Sequence, residues 1–281
     1  MTLILDGKAL RDKILASIKE EVQKLKRKPC LAVILVGDDA ASQIYVKNKQ
    51  KFALTAGFDS QMYQLGENTT AIELANLICG LNQDTEVDGI LLQLPLPKHL
   101  NSASFLELIS PYKDVDGFHP TNVGKLLTNS GTLAVSCTPK GIVRLLKENK
   151  IELEGKNIVV IGRSNIVGKP LCALLTNENA TVTLAHSKTK NLPQIARGAD
   201  ILISATGICN LITKDFVKEN AVVVDVGINR TSDGKISGDV CFDEVSQIAS
   251  AITPVPGGVG PMTIAMLMEN TLELYKKNAQ L

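Results

Sequence analysis

KNIVVIGRSNIVGKP, residues 156–170, is a short apolar run followed at once by a glycine-containing turn and a second apolar segment. The run Asn157–Ile161 predicts a buried strand, and the residues from Gly168 onward predict a helix. Gly162 permits a tight turn, and Gly168 lets the helix approach the sheet closely. Because N–H groups at the start of a helix attract anions, this stretch predicts a strand–turn–helix unit that binds a phosphate.

The glycine spacing in this turn is G-x-S-x-x-x-G rather than G-x-G-x-x-G, because Ser164 occupies the place of the second glycine. The spacing alone also fits an ordinary strand–helix turn. A βαβ unit follows in the right register, however, and that context favours a dinucleotide site over a simple turn.

Alternating strand and helix patterns extend from this unit in both directions, which predicts an α/β fold with parallel sheets covered by helices. The other predicted strands are Leu31–Val36, Gln61–Leu65, Gly89–Leu94, Thr181–Ala185, Ile201–Ser204 and Val222–Val226. The main predicted helices are Ala40–Ala56, Thr70–Leu81, Ser104–Ile109, 138–150 and Met262–Tyr275. Boundaries are predicted near Cys137–Pro139 and Thr253–Pro261, where proline and glycine interrupt regular structure. Periodicity leaves open which domain the last helix joins.

The composition excludes several classes of protein. The chain has 281 residues, 44% of them hydrophobic, and a formal net charge of +1, so a packed core is expected and a polybasic nucleic-acid or membrane module is not. No apolar run is long enough to predict a membrane span. Six scattered cysteines without a CxxC motif indicate reduced thiols and a cytoplasmic protein. Three histidines without paired spacing predict no histidine-based metal site.

The second strand of the nucleotide unit indicates which cofactor binds. An NAD site places an acidic residue at the end of that strand, against the ribose 2′-hydroxyl. The corresponding segment here, TVTLAHSKTK at 181–190, has no acid and carries Ser187 and Lys188 instead, while Arg163 lies in the first turn. These donors suit a 2′-phosphate, so NADP is favoured; the alternative is that all three are solvated loop residues.

Helix 40–56, AASQIYVKNKQKFALTA, carries the first candidate catalytic group. Helical spacing puts Lys49 on the same predicted apolar face as Tyr45 and Phe52. Such a lysine either extends its ammonium to solvent or is buried for chemistry, and spacing alone favours the first. Tyr-x-x-x-Lys also occurs in short-chain dehydrogenases, but there the glycine turn precedes the helix, whereas here it follows.

Three other segments carry polar or glycine-rich patterns that suit a ligand site. In GILLQLPLP, residues 89–97, Gln93 is the one polar residue and needs hydrogen-bond partners. In KDVDGFHP, residues 113–120, Asp114 and Asp116 fit either a simple turn or a ligand contact. The glycine- and proline-rich stretch that starts at Pro254 fits either a surface for a flat ligand or an interdomain turn.

Taken in order, these segments resemble the bifunctional methylenetetrahydrofolate dehydrogenase/methenyltetrahydrofolate cyclohydrolase family. The resemblance spans essentially the whole chain. The segments that carry it are YVKNK (45–49), GILLQLPLP (89–97), KDVDGFHP (113–120), SCTPKG (136–141), GRSNIVGKP (162–170), VVVDVGINR (222–230) and ITPVPGGVGPMT (252–263).

The resemblance implies an architecture. It implies two α/β domains around a cleft, with the C-terminal helix returning to the first domain and a homodimer joined through the nucleotide domains. Residues 1–138 with 261–281 would form the folate-binding catalytic domain, and residues 139–260 a Rossmann-type NADP-binding domain. Tetrahydrofolate derivatives would be the substrates, with no nucleic-acid or membrane partner.

The resemblance also implies roles for residues. Tyr45 would stack near the folate rings, Lys49 would be the key catalytic group, Gln93 would hydrogen-bond to Lys49, and Asp116 would bind the pterin. The other implied folate contacts are Leu92, Leu94, Pro256, Gly257, Gly258, Val259, Gly260 and Pro261, and the implied NADP contacts are Gly162, Arg163, Ser164, Ser187 and Ile228. A different NADP oxidoreductase and a non-catalytic NADP sensor remain as alternatives.

Overall fold

A computed structural model describes residues 2–231 and 234–279 of the chain. Contacts between Cα atoms divide it into two compact units. The first, here called the six-stranded unit, comprises the residues up to Arg11 and Thr138–Thr263. The second, here called the three-stranded unit, comprises Asp12–Cys137 and the residues from Ile264 onward.

Strands and helices alternate along both units, as the hydrophobic pattern predicts. The strands are β1 (Leu3–Ile4), β2 (Cys30–Val36), β3 (Asp59–Leu65), β4 (Gly89–Leu92), β5 (Asn157–Ile161), β6 (Thr181–Ala185), β7 (Ile201–Ser204), β8 (Val222–Asp225), β9 (Asn229–Arg230), β10 (Ile236–Ser237) and β11 (Ala251–Ile252). The helices are α1 (Gly7–Val22), α2 (Ala40–Thr55), α3 (Ala71–Gln83), α4 (Ser102–Leu108), α5 (Pro120–Leu127), α6 (Cys137–Glu148), α7 (Gly168–Asn177), α8 (Leu192–Ala196), α9 (Phe242–Val245) and α10 (Val259–Asn278). Among the described residues, no helix is long and apolar enough to span a membrane.

The three-stranded unit is built on a parallel sheet of order β3-β2-β4. Every residue of the central strand β2 is buried, as expected for a parallel strand covered on both faces. Apolar residues of β2 and β4 form one core cluster with Leu74 and Ile78 of α3 and Phe105 of α4. This core holds the carboxyl end of β4, and therefore Gln93, in a fixed position.

The six-stranded unit contains a parallel sheet of order β1-β11-β8-β7-β5-β6. Strand β5 lies between β6 and β7, and α7 follows β5 directly, which is the doubly wound arrangement predicted from residues 156–170. A short antiparallel hairpin of β9 and β10 interrupts the chain between β8 and β11. The two-domain α/β prediction is thereby confirmed.

The chain termini are divided between the units in a way that periodicity did not predict. Residues 1–138 were assigned together, but the structure groups the residues up to Arg11 with the six-stranded unit, because β1 pairs with β11 through Leu3 and Ile4. Both β1 and β11 have only two residues, too few to show an alternating pattern. From Ile264 onward α10 belongs to the three-stranded unit, so the C-terminal helix returns to the first domain as the resemblance implied.

Candidate functional site

Lys49 and Gln93 meet in the three-stranded unit. Lys49 is half-buried on α2, and its Nζ donates a hydrogen bond to Oε1 of Gln93 at 3.0 Å. Gln93 follows β4 and donates from Nε2 to the carbonyl of Leu94 at 2.6 Å, while its backbone N–H bonds to the carbonyl of Ile34 at 2.9 Å. The amide is therefore held with its oxygen toward the lysine. This contact is the one that the resemblance implied.

The buried face of α2 differs from the face predicted by spacing. Val46 and Ala53 are fully buried, whereas Tyr45 is 47% exposed, so the predicted apolar stripe through Tyr45 is wrong by one position. Lys49 lies three residues after Val46 and four before Ala53, at the edge of the true buried stripe. Tyr45 lies one turn before Lys49 with its ring accessible, which suits contact with a flat ligand.

Asp116 is the third polar group of this region. Its side chain is half-buried, and burial raises the pKa of its carboxyl group, whereas the charge of Lys49 lowers it and that of Asp114 raises it. The thiol of Cys137 contacts Oδ1 at 3.9 Å. Asp116 and Lys49 therefore interact electrostatically within one unit, and an ammonium group favours the ionised carboxylate.

The turn that carries Asp116 is held by buried polar residues that the sequence did not single out. Asp114, 3% exposed, accepts hydrogen bonds from the backbone of Phe118 and His119 and from Nδ2 of Asn122, at 3.2, 2.9 and 2.8 Å. Burial raises the pKa of Asp114, and these hydrogen bonds oppose the rise. Each donor stabilises the carboxylate, so the turn is fixed around Asp114.

A second support for the same turn comes from α10. Asn270, fully buried, donates from Nδ2 to the carbonyls of Val115 and Val135, each at 2.8 Å. Gly117 has φ +69°, and a Cβ there would lie 2.6 Å from the backbone nitrogen of Ser136. Asp116 is thus clamped between two segments that are joined by one asparagine.

The remaining folate contacts implied by resemblance differ in accessibility. Leu92 is 2% exposed and belongs to the core cluster, so its side chain supports the strand rather than facing a ligand. Leu94 is half-buried and follows Gln93 directly. Within the loop 256–261, Pro256 and Gly260 are exposed, whereas Gly258 and Val259 are buried; Gly257 and Pro261 are intermediate.

The loop 256–261 lies in the six-stranded unit, against the start of α1. The N–H of Lys8 donates to the carbonyl of Gly257 at 3.0 Å, and a Cβ on Gly7 would collide with the carbonyl of Gly258. A Cβ on Gly260 would lie 3.9 Å from Cδ1 of Ile228, so this loop adjoins a residue of the implied cofactor set. Ile228 itself is 51% exposed.

The glycine turn after β5 has the close packing that its sequence predicts. Gly162 has φ +126°, and a Cβ there would collide with the carbonyl oxygen of Ala205. A Cβ on Gly168 would collide with the carbonyl oxygen of Gly162. Both positions therefore require glycine, because backbone from three segments converges at this point.

Ser164 has a structural role that explains the missing glycine. Its Oγ accepts from the N–H groups of Val167 and Gly168 at 3.1 and 3.4 Å, and its carbonyl accepts from Lys169 at 3.1 Å. The first N–H groups of α7 are thus bonded within the loop. The expectation that they face a phosphate is not met in this conformation, because the serine caps the helix itself.

The predicted 2′-phosphate donors lie at one edge of the sheet. Strands β5 and β6 are paired with Ile161 opposite Ala185, and Arg163 and Ser187 each follow two residues later. Ser187 and Lys188 are exposed on a turn closed by a hydrogen bond from the backbone N–H of His186 to Oγ1 of Thr189 at 2.9 Å. Neighbouring parallel strands are about 4.8 Å apart, so these side chains can reach one phosphate.

Metal chemistry has no visible support in the described ranges. No group of three or more histidine, cysteine, aspartate or glutamate side chains there is placed to hold a metal ion.

Sequence models of one family match both halves of the chain. The catalytic domain of tetrahydrofolate dehydrogenase/cyclohydrolase matches residues 5–116, and the NAD(P)-binding domain of the same family matches residues 136–279. The first range contains Tyr45, Lys49, Gln93 and Asp116, and the second contains the glycine turn.

Individual relatives match over the whole chain. The Bifunctional protein FolD of Streptococcus equi subsp. zooepidemicus is 55% identical over 97% of both chains, and that of Streptococcus agalactiae is 52% identical over 100% of both. The crystal structure of the bifunctional FolD methylenetetrahydrofolate dehydrogenase/cyclohydrolase from Campylobacter jejuni is 54% identical, covers 99% of both chains and superposes with a TM-score of 0.96. The Trypanosoma brucei methylenetetrahydrofolate dehydrogenase-cyclohydrolase, solved with NADP and an inhibitor, is 37% identical, covers 100% of this chain and 99% of its own, and has a TM-score of 0.94.

Proposed function

Since the chain belongs to the tetrahydrofolate dehydrogenase/cyclohydrolase family, we propose how its own residues carry the two reactions of that family. The enzyme oxidises 5,10-methylenetetrahydrofolate to 5,10-methenyltetrahydrofolate with NADP, and it hydrolyses the product to 10-formyltetrahydrofolate. The observation that carries the assignment of residues is the Lys49–Gln93 hydrogen bond beside Asp116, within the range matched by the catalytic-domain model.

The six-stranded unit fits a dinucleotide. Gly162 and Gly168 leave a cradle that a Cβ at either position would fill, and the Arg163 and Ser187 side chains follow the adjoining strands β5 and β6. Arg163 would bind the 2′-phosphate, with Ser187 as a second donor, and Ile228 would contact the cofactor through its exposed side chain. When bound, NADP supplies the acceptor for the hydride of the one-carbon bridge.

In the dehydrogenase step the protein aligns the folate. The accessible ring of Tyr45 would stack on it, and Asp116 would accept hydrogen bonds from the amino groups of the pterin. Holding the one-carbon bridge in a single orientation converts an encounter between two molecules into an intramolecular step. No proton transfer is required while the hydride leaves.

In the cyclohydrolase step Lys49 would move protons. Water adds to the methenyl carbon and releases a proton, and the bond from that carbon to N5 then breaks while N5 gains a proton. Lys49 Nζ would accept the first proton and return one to N5. Gln93 Oε1 holds one N–H of Lys49 at 3.0 Å, which orients the group toward the substrate.

One assay tests the proposed function as a whole. The purified chain should reduce NADP when supplied with 5,10-methylenetetrahydrofolate, and it should hydrolyse 5,10-methenyltetrahydrofolate when no NADP is present. A chain that does neither, although folded by circular dichroism, would contradict the assignment. Reduction with another carbonyl or amine substrate alone would favour the alternative oxidoreductase.

Asp116→Ala is expected to raise the KM for 5,10-methylenetetrahydrofolate by about tenfold or more, because the pterin donors lose a charged acceptor in a desolvated site. The dissociation constant for NADP, titrated separately, should change by less than about twofold. Asp116→Asn, which keeps one acceptor oxygen, should lie between parent and Ala. Unchanged folate affinity with weakened NADP binding would show that the two sites are assigned the wrong way round.

A homodimer in the cytoplasm is proposed as well. The dimer rests on the family resemblance. The cytoplasmic location is supported by the free state of all six cysteines, which suits a reducing compartment. Light scattering at assay concentration measures the oligomeric state directly, and a monomer mass would contradict the dimer.

A further inference from the structure

Asp239 is a buried carboxylate that organises the loops at the carboxyl edge of the six-stranded sheet. It is fully buried and lies just after β10. Its Oδ2 accepts from Oγ of Ser204 at 3.0 Å, from N and Oγ1 of Thr206 at 2.6 and 2.9 Å, and from N of Gly207 at 3.3 Å. Its Oδ1 accepts from Nδ2 of Asn229 at 3.0 Å.

A second buried carboxylate fixes Asp239 in place. Asp225, at the end of β8, accepts from the backbone N–H groups of Gly227, Asp239 and Val240, each at 2.9 Å. A Cβ on Gly227 would collide with Oδ1 of Asp239, and a Cβ on Gly238 would collide with Oδ2 of Asp225. The two carboxylates and the two glycines thus interlock, so Asp239 has little freedom to move. Burial raises the pKa of Asp225 to about 6, and the nearby Asp239 adds to the rise.

The loop that Asp239 holds packs on the dinucleotide turn. Ala205 lies between Ser204 and Thr206, and its N–H donates to the carbonyl of Ile161 at 2.8 Å. The carbonyl oxygen of Ala205 is the atom with which a Cβ on Gly162 would collide. A displacement of this loop would therefore be felt directly at Gly162.

Asp239 reaches the other side of the proposed cofactor site through Asn229. Asn229 follows Ile228, whose exposed side chain belongs to the implied NADP contacts. One carboxylate therefore links the loop after β7 with the segment after β8. In open parallel sheets, ligands bind at the carboxyl ends of strands, which is where both segments lie.

We propose that Asp239 is a positioning residue for the dinucleotide site: it does not contact NADP but fixes the Ala205–Gly207 loop against Gly162 and the Ile228–Asn229 segment beside it. The proposal deepens the proposed function and rests on NADP binding by this unit. A carboxylate is required because both oxygens accept and every partner of Asp239 in the described part of the chain is a neutral donor.

The test is Asp239→Asn. An amide places an NH2 group either against the donors from Ser204 and the Thr206–Gly207 segment, or against Nδ2 of Asn229, so buried donors lose their acceptor. The dissociation constant for NADP, measured by calorimetry, should rise by about tenfold or more. Hydrolysis of methenyltetrahydrofolate without NADP should stay within about twofold of the parent, since Lys49 and Gln93 lie in the other unit. The matched control Asp215→Asn, an exposed aspartate of the same unit, should change neither quantity.

A charge-conserving exchange provides the rescue. In Asp239→Asn with Asn229→Asp, the donor and acceptor trade places and the hydrogen bond is restored without a change of net charge. The double variant should bind NADP at least about threefold more tightly than Asp239→Asn alone, and Asn229→Asp alone should bind NADP weakly because two carboxylates then face each other.

Three results would overturn the proposal. These are parental NADP affinity in Asp239→Asn, no recovery in the double variant, and an equal loss of both activities with a lowered melting temperature, which would indicate a purely structural residue. If Asp239→Asn does not fold, Thr206→Val removes one hydroxyl from Oδ2, and it should still weaken NADP binding by about threefold; parental affinity there would equally overturn the proposal. A parent chain that binds no NADP would contradict the proposed function itself, and its own titration distinguishes that failure.

Discussion

Lys49→Met is expected to reduce the hydrolysis of 5,10-methenyltetrahydrofolate by at least about 100-fold, because it removes the proton-transferring group while keeping an aliphatic side chain of similar length. Lys49 is half-buried at the edge of the packed face of α2, so a thioether is tolerated there and the fold should persist. The measurement is the rate of ring opening in the absence of NADP, with circular dichroism as the check on folding.

The same helix supplies matched controls for this variant. Lys47 and Lys51 are exposed on α2, and Lys47→Met and Lys51→Met should leave the rate within about twofold of the parent. The dehydrogenase step transfers hydride rather than a proton, so Lys49→Met should impair it less than ring opening. A hydrolysis rate within about threefold of the parent would refute the proposed role of Lys49.

Strong local patterns carried most of the fold prediction. The β-branched runs of β5 and β7 and the glycine turn after β5 were placed correctly because a buried parallel strand is a continuous apolar run with clear punctuation. Strands β1 and β11 were missed because each has two residues and gains its stability from a partner some 250 positions away. No pattern within either segment records that pairing.

The candidate site shows the same division between local and distant information. Lys49 and Gln93 could be chosen because each is a polar residue in an apolar setting, which a single sequence shows. The support of Asp116 by Asn270 could not, since the two lie on segments whose approach depends on the return of α10. The face of α2 was misplaced by one position because Val46 and Tyr45 are both apolar, and only packing decides which of them is buried. Asp239 was overlooked because an aspartate after a glycine resembles any turn residue.

Exchange of cofactor preference is the second large effect expected of this chain. The parent should prefer NADP to NAD in kcat/KM, because the second strand of the nucleotide unit ends at Ala185 without the acidic residue that binds a ribose 2′-hydroxyl. Arg163 and Ser187 follow paired strands in the same register, which places a guanidinium and a hydroxyl at one edge. Guanidinium–phosphate contacts are charge-assisted and often bidentate, so Arg163 should contribute most of the discrimination.

Arg163→Ala combined with Ser187→Asp should reverse that preference. The first change removes the cation, and the second adds an anion that repels a 2′-phosphate and can accept from a 2′-hydroxyl. The kcat/KM for NADP should fall by about 100-fold or more, which corresponds to the loss of one charge-assisted hydrogen bond together with the added repulsion. Both cofactors are compared at one folate concentration and one ionic strength, because surface charges are screened by salt.

The controls separate recognition of the phosphate from general damage to the nucleotide unit. Lys156→Ala removes a cation just before the amino end of β5, away from the edge that carries Arg163, and should leave the NADP-to-NAD ratio unchanged. Ring opening without NADP should be unaffected in the double variant. A parent that prefers NAD would refute the interpretation of the strand end. A double variant that still prefers NADP would show that another cation holds the phosphate, and Lys188, exposed on the same turn as Ser187, is then the residue to replace next.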